Sequence, residues 1–224
     1  MFKIDDSDNW IQLGDDIDGE ATSDYSGWSV SLSSDGKTIA IGVPYYDKNG
    51  TDSGHTRVFK IDDSDNWIQL GTDIDSEAAG DRSGYSVSLS SDGKTVAIGA
   101  KYNDGNGDRS GHVRVYGYNG SGWIQLGSDI DGEAAGDWSG DSVSLSSDGK
   151  TVAIGAVLND GVNGDNSGHV RVYEVAFLSS QPTRSPSSSP TMAPTGASSK
   201  AVSSFCLLCC VSYMCCDVSS LSLD

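Results

Sequence analysis

The feature that most constrains this chain is a period of 56–57 residues. The pentapeptide WIQLG starts at Trp10, Trp67 and Trp123, and the decapeptide SVSLSSDGKT recurs unchanged from Ser29, Ser86 and Ser142. A fixed period of this size marks a repeat array, in which each copy is one supersecondary unit that buries its apolar faces against its neighbours. Every notable residue type returns at the same place in each copy, so the sequence argues for an architecture before it argues for an activity.

One copy, residues 67–116 with the Trp segment that follows it, contains four strand patterns and no helical one. Residues 86–90 alternate Val87 and Leu89 with serines, the two-residue period of a pleated strand. Ser91-Asp92-Gly93-Lys94 is a tight turn, because Asp-Gly supplies the positive φ such turns need. Residues 95–100 put Val96 and Ile98 on one face and the small Ala97 and Gly99 on the other, where a second sheet can approach closely. After an Asn/Asp/Gly loop at 103–111 come a third strand at 112–116 and a short fourth at 123–126.

Four antiparallel strands per period predict an all-β fold, a partial β-propeller of about three blades at roughly 2–61, 62–117 and 118–177. A β-sandwich is the competing architecture, but it would not need so regular a repeat. Three blades fall short of the about four to eight of a closed ring, so the prediction is an open arc completed by further repeats or another chain. No fourth strand follows Tyr173, and the N-terminal Trp10 strand is available to complete the last blade.

These motifs resemble the FG-GAP, or integrin-alpha-like, repeat. Ser83-Gly84-Tyr85-Ser86-Val87 stands where that family has Phe-Gly-x-Ser-Val, and Gly99-Ala100 where it has Gly-Ala-Pro; the first copy, Gly42-Val43-Pro44, keeps the proline. The resemblance spans residues 2 to about 176 and implies a surface-protein propeller. The family's Phe is replaced by Ser26, Ser83 and Ser139. Its calcium loop between the first two strands is reduced to Ser-Ser-Asp-Gly-Lys-Thr, so calcium at that place is not carried over. SSDGKTVAIGA and HVRVY are locally similar to WD-repeat blades, whose period of ~40 to 45 is shorter.

A net charge of −18 excludes nucleic acid, whose binding depends on neutralising phosphates with a Lys/Arg surface, and repels anionic membranes. All five cysteines lie between Cys206 and Cys216, which leaves the repeats without disulfide or thiol chemistry. Residues 179–204 are Ser/Thr/Pro-rich and are expected to form a disordered linker or stalk. Residues 205–224 form a Cys-rich tail whose apolar run is far shorter than the ~20 residues of a spanning helix; it is either disordered or weakly membrane-associated through S-acylation. No signal peptide precedes the repeats. Residues 2–14 are identical to 59–71, so the chain is expected to begin inside a repeat of a longer protein. The stalk and the sequons at Asn49 and Asn119 favour an extracellular or cell-surface location.

The loop after the fourth strand carries acids at its first, third, fifth and ninth positions: Asp16, Asp18, Glu20 and Asp24, then Asp73, Asp75, Glu77 and Asp81, then Asp129, Asp131, Glu133 and Asp137. That spacing lets a tight loop present hard oxygens to calcium. It also suits acids that cap turns by accepting backbone N–H bonds. The loop after the second strand lies at the same end of the blade and offers Asn103, Asp104, Asp108, Asp160 and Asp165 as binding or turn-forming residues. His55, His112 and His169 hold one repeated strand-start position, which fits packing or hydrogen bonding better than a unique catalytic base. Trp10, Trp67 and Trp123 fit the blade edge. Trp28 and Trp138 break the repeat, which makes them candidate contacts. The expected function is a non-catalytic surface binding or adhesion module for protein or carbohydrate, with calcium as a candidate cofactor. The alternatives are a structural wall protein and a propeller-based hydrolase whose active site lies in other repeats.

Overall fold

A computed structural model describes the backbone of residues 2–4 and the full residues 8–175. These belong to one compact unit, 1–181. The stalk at 179–204 and the Cys-rich tail at 205–224 lie outside the described residues.

Fifteen strands and no helix occur among the described residues. The first blade comprises β3 (Ser29–Leu32), β4 (Thr38–Val43), β5 (His55–Ile61) and β6 (Trp67–Gln69), hydrogen-bonded antiparallel in that order, following the hairpin of β1 (Phe2–Ile4) and β2 (Trp10–Gln12). A further two-residue strand, β7 (Ile74–Asp75), pairs with the start of β5. The second blade repeats this with β8 (Ser86–Leu89), β9 (Thr95–Ala100), β10 (His112–Tyr118), β11 (Trp123–Gln125) and β12 (Ile130–Asp131). The third has β13 (Ser139–Leu145), β14 (Thr151–Ala156) and β15 (His169–Glu174).

Each Trp strand pairs with the third strand that precedes it, so the sheets span 29–75, 86–131 and 139–174, and the blade limits fall after the Trp strand and its loop. The expectation that the Trp10 strand completes the last blade is not met. Phe2 faces Gln12 and Ile4 faces Trp10, so β2 is occupied by β1, a copy of the end of the third strand. A hairpin a few residues long closes at far smaller entropic cost than a pairing across the whole array.

The predicted faces of the second strand are as built. Val96 and Ile98 pack with Ala40, Val58, Val87 and Leu89 between the first and second blades. Ala97 packs with Val113, Val115, Val152 and Ile154 between the second and third. At Gly99 an added Cβ would overlap the Gly140 carbonyl, which explains the small residue there. The matching faces at the two ends of the row leave Val30 and Leu32, and Val170 and Val172, exposed.

The constant decapeptide holds neighbouring copies together. Ser29 Oγ donates to Gly84 O and Ser86 Oγ to Gly140 O, each at 2.8 Å. Ser31 Oγ accepts from Leu89 N and Ser88 Oγ from Leu145 N, each at 2.9 Å. The turn serines continue the chain of bonds, from Ser34 N to Ser91 O and from Ser91 N to Ser147 O, both 3.0 Å. The fourth strands add a bond of the same kind: Trp67 Nε1 donates to Leu13 O at 3.1 Å and Trp123 Nε1 to Leu70 O at 2.8 Å. Trp67 and Trp123 are thus half-buried links between copies, whereas Trp10 is exposed.

Candidate functional site

Within each turn between the first two strands, the lone aspartate is already committed. Asp35 Oδ1 accepts from Ser33 Oγ at 2.6 Å and from Lys37 N at 2.9 Å, bonds that hold its carboxyl below the ordinary value. Asp148 repeats this with Ser146 and Lys150. These turns do not fit a calcium loop.

The four acids of each later loop are committed to partners within the fold. The first-position acids accept from a glutamine of their own Trp strand: Gln12 to Asp16 and Gln69 to Asp73 at 2.8 Å, Gln125 to Asp129 at 2.7 Å. Asp75 and Asp131 sit in β7 and β12, and Asp75 pairs with Lys48 at 2.9 Å. Arg57, Arg114 and Arg171 reach back to Glu20, Glu77 and Glu133 at 3.6, 3.5 and 3.5 Å; Arg57 also donates to Asp18 O and Arg114 to Asp75 O. Asp24, Asp81 and Asp137 are buried turn caps that accept from Ala21 N, Ala78 N and Ala134 N at 2.9, 3.0 and 3.0 Å.

The second loop is built from similar caps. Asn103 Oδ1 accepts from Gly105 N, Asp104 Oδ1 from Arg109 N and Asp160 Oδ1 from Asn166 N. Asp165 is exposed. Asn49 is exposed with its Nδ2 donating to Ser76 O, and Asn119 is exposed in the turn of the β10–β11 hairpin.

Two arrangements do bring side chains together. In the first, acids from consecutive loops meet a histidine: Glu20, His55 and Asp73 in one group, Glu77, His112 and Asp129 in the other, with one nitrogen or oxygen of each residue within 4.8 Å of the others. Such groups could hold a metal ion. Register explains the convergence, since His55 opens β5 directly opposite Asp75, and His112 opens β10 opposite Asp131. Burial holds both imidazoles below their ordinary value. His169 Nδ1 lies 3.5 Å from Glu133 Oε2, and among the described residues no third ligand-type side chain completes a group there.

The second arrangement is an aromatic belt at the end of the blades where β4 and β9 finish and β3 and β8 begin. Tyr25, Trp28 and Tyr45 form a cluster with ring centroids 5.0–6.3 Å apart, and Trp28 reaches Tyr85 at 5.3 Å. Tyr85 approaches Tyr102 at 6.4 Å, and Tyr102 meets Trp138 at 5.3 Å. Cations are threaded through it. Arg82 lies 4.6 Å over Tyr45 and 4.7 Å over Tyr102 while pairing with Asp52 at 3.0 Å. Lys101 lies 3.7 Å over Tyr85 and 4.6 Å over Trp138 while pairing with Asp141 at 2.7 Å. Burial alone would lower the Lys101 pKa, but the Asp141 and Tyr85 contacts raise it. A cavity of about 330 Å³ opens beside the belt, lined by Arg82, Tyr102, Asp104, Asp108 and Arg109 among others.

Tyr25, Arg82 and Trp138 occupy one repeat position, and all three have left-handed backbones with φ of 54°, 54° and 56°. For bulky residues this conformation costs about 1–3 kcal/mol, strain of a kind that concentrates at functional sites. Trp28 and Trp138, singled out by their departure from the repeat, therefore meet on one belt. Tyr45, Arg82 and Lys101 were not singled out, although the same signal marks them: Pro44, Lys101 and Val157 share one position, as do Tyr45, Tyr102 and Leu158.

A family model described as FG-GAP repeat matches residues 17–59, 75–116 and 130–173, more than half of the chain. No curated protein matches the sequence. Among solved structures, the chain is similar to a periplasmic gluconolactonase, PpgL, of Pseudomonas aeruginosa, at 16% identity and a TM-score of 0.47, over 77% of this chain and 45% of that one. It is also similar to the hydrazine synthase of Kuenenia stuttgartiensis, at 15% identity and a TM-score of 0.40, over 71% of this chain and 36% of that one. The chain thus spans less than half the length of either.

Proposed function

The chain belongs to the FG-GAP repeat family, and from that premise we propose that it is a non-catalytic binding module of a cell-surface or extracellular protein, with the aromatic belt as its ligand face. The observation that carries this reading is that the belt is built from positions that differ between copies, such as Tyr25, Arg82 and Trp138, while positions that repeat build the seams between blades. Tyr25 and Trp28 are 59% and 45% exposed, so their rings are available to stack on a ligand.

Flat aromatic faces flanked by paired cations suit the apolar faces of sugar rings in a glycan at a surface. The exposed Asn49 and Asn119 and the Ser/Thr/Pro composition of 179–204 support the surface location. The exposed apolar faces at Val30 and Leu32 and at Val170 and Val172 match the faces the middle blade buries, and the partner we assign them is another blade of this repeat. Calcium finds no oxygen cage in either loop of the repeat, so this reading does not depend on it.

The test is retention on immobilised polysaccharides by affinity electrophoresis. The chain should be retarded by at least one neutral glycan, and Trp28→Ala and Tyr45→Ala should abolish the retardation. Equal retardation of the variants, or binding only to a protein surface, would overturn the glycan assignment.

A further inference from the structure

The two complete Glu–His–Asp groups are built from the same three repeat positions but have different neighbours. In the first, Tyr46 lies over the His55 ring with centroids 4.0 Å apart, and Lys48 reaches Asp73 at 3.7 Å. In the second, Asn103 and Gly105 stand at those positions, so no lysine competes for Asp129.

Both histidines are fully enclosed, His55 at 0% and His112 at 1% exposure. Neither nitrogen of His55 has a hydrogen-bond partner, although its Nδ1 points at Asp73 Oδ2 from 3.9 Å; Nε2 of His112 is also unpartnered. Leaving a buried polar group unsatisfied is costly, and such groups in a native fold call for an explanation. A ligand at the mouth of the cluster engages one nitrogen of each ring, and in the first group the Nδ1 that faces Asp73 is such an unpartnered nitrogen. One imidazole nitrogen and two carboxylates, with the remaining positions left to water, is a donor set for a borderline divalent transition ion; calcium takes oxygen ligands only. The donor atoms lie within 4.8 Å of one another, and side chains that are exposed or half-exposed on the carboxylate side can adjust to the about 2.0–2.2 Å bonds that zinc takes to nitrogen and oxygen.

We propose that Glu77, His112 and Asp129 form a zinc-class metal site that braces successive blades, with Glu20, His55 and Asp73 as a weaker copy hindered by Lys48. Glu77 lies in the segment that leads from the first blade to the second, His112 opens the second blade's third strand, and Asp129 lies between β11 and β12. An ion there ties the connection between two blades to the third strand of the next one and to the loop after its fourth. Glu77 can bind it through one carboxylate oxygen while the other keeps Arg114.

The test titrates the full chain, its thiols alkylated with iodoacetamide so that the Cys-rich tail does not ligate, with Zn²⁺ against a competing chelator and with Co²⁺ followed by absorption. The expected result is one tight equivalent, a Co²⁺ spectrum of nitrogen and oxygen ligation, a rise in melting temperature with Zn²⁺, and none of these with Ca²⁺. Asp129→Asn and Glu77→Gln keep the side-chain shape and should each weaken the tight equivalent at least about tenfold. Lys48→Gly should add a second. Zn²⁺ affinity unchanged in Asp129→Asn, or an equal response to Ca²⁺, would overturn the proposal.

Discussion

The seams between blades and the aromatic belt are made from the same three copies of one sequence, yet they treat repetition in opposite ways. At the seams, Ser29 and Ser86 make the same bond to the next copy, and Trp67 and Trp123 make the same bond to the preceding one. On the belt, one position is Tyr25, Arg82 and Trp138 in turn, and another is Trp28, Tyr85 and Asp141. Recurrence is required where copies must fit one another. Variation is tolerated where the side chain faces something other than a copy of itself.

This contrast can be broken by substitutions on either side of it. The largest effect is expected from Ile98→Ala, which empties a seam position that is 2% exposed; urea unfolding should show a loss of about 2–5 kcal/mol. A loss under about 1 kcal/mol would mean that the seams do not carry the fold. Trp123→Phe keeps an aromatic ring but removes the bond to Leu70 O and part of the packed area, and should cost about 1–3 kcal/mol by the same measurement. Trp28→Ala on the belt should change stability by less than about 0.5 kcal/mol while removing glycan retardation, and a large loss of stability would place Trp28 with the scaffold.

The smallest effect concerns the turns. Asp35 and Asp148 have carboxyls held below the ordinary 3.8, so the folded state binds their protons less readily than the unfolded chain does. Their contribution is complete above that value and fades as pH falls through it. Asp35→Asn and Asp148→Asn keep an oxygen acceptor and lose the titration, so thermal melts between about pH 4 and pH 3 should decline less steeply for the double variant. Parallel slopes would show that these turns are not coupled to protonation.

The period, the strands and the two faces of 95–100 were legible in the sequence because alternation and Asp-Gly turns are local signals. The acid loop was misleading for a physical reason. Spacing along a chain indicates a cage only if the segment closes on itself, and here Ile74–Asp75 pairs with β5 while Asp81 caps a buried turn, so the acids take different partners. What does converge with Asp73 is His55 from the preceding strand and Glu20, more than fifty residues earlier in the chain, and only strand pairing reveals that. The serines of SVSLSS read as the polar side of an amphipathic strand, and their bonds to the next copy appear only once the copies are set side by side. The belt was half legible, since Trp28 and Trp138 announced themselves by type, while Tyr45 and Lys101 required comparing every position across the three copies.

The interchangeable fourth strands carry a cost during folding. β2, β6 and β11 are all Trp-Ile-Gln, and β6 and β11 pair with the ends of β5 and β10, Phe59-Lys60-Ile61 and Tyr116-Gly117-Tyr118. A slip by a whole copy would satisfy the same backbone hydrogen bonds, so those bonds do not choose between registers. The choice falls to chain closure: Trp67 lies six residues beyond the end of β5, and every other Trp strand is about fifty or more residues away. The short hairpin turns at 62–66 and 119–122 therefore act as the address labels of the array, and lengthening either one would narrow the entropic advantage of the local pairing.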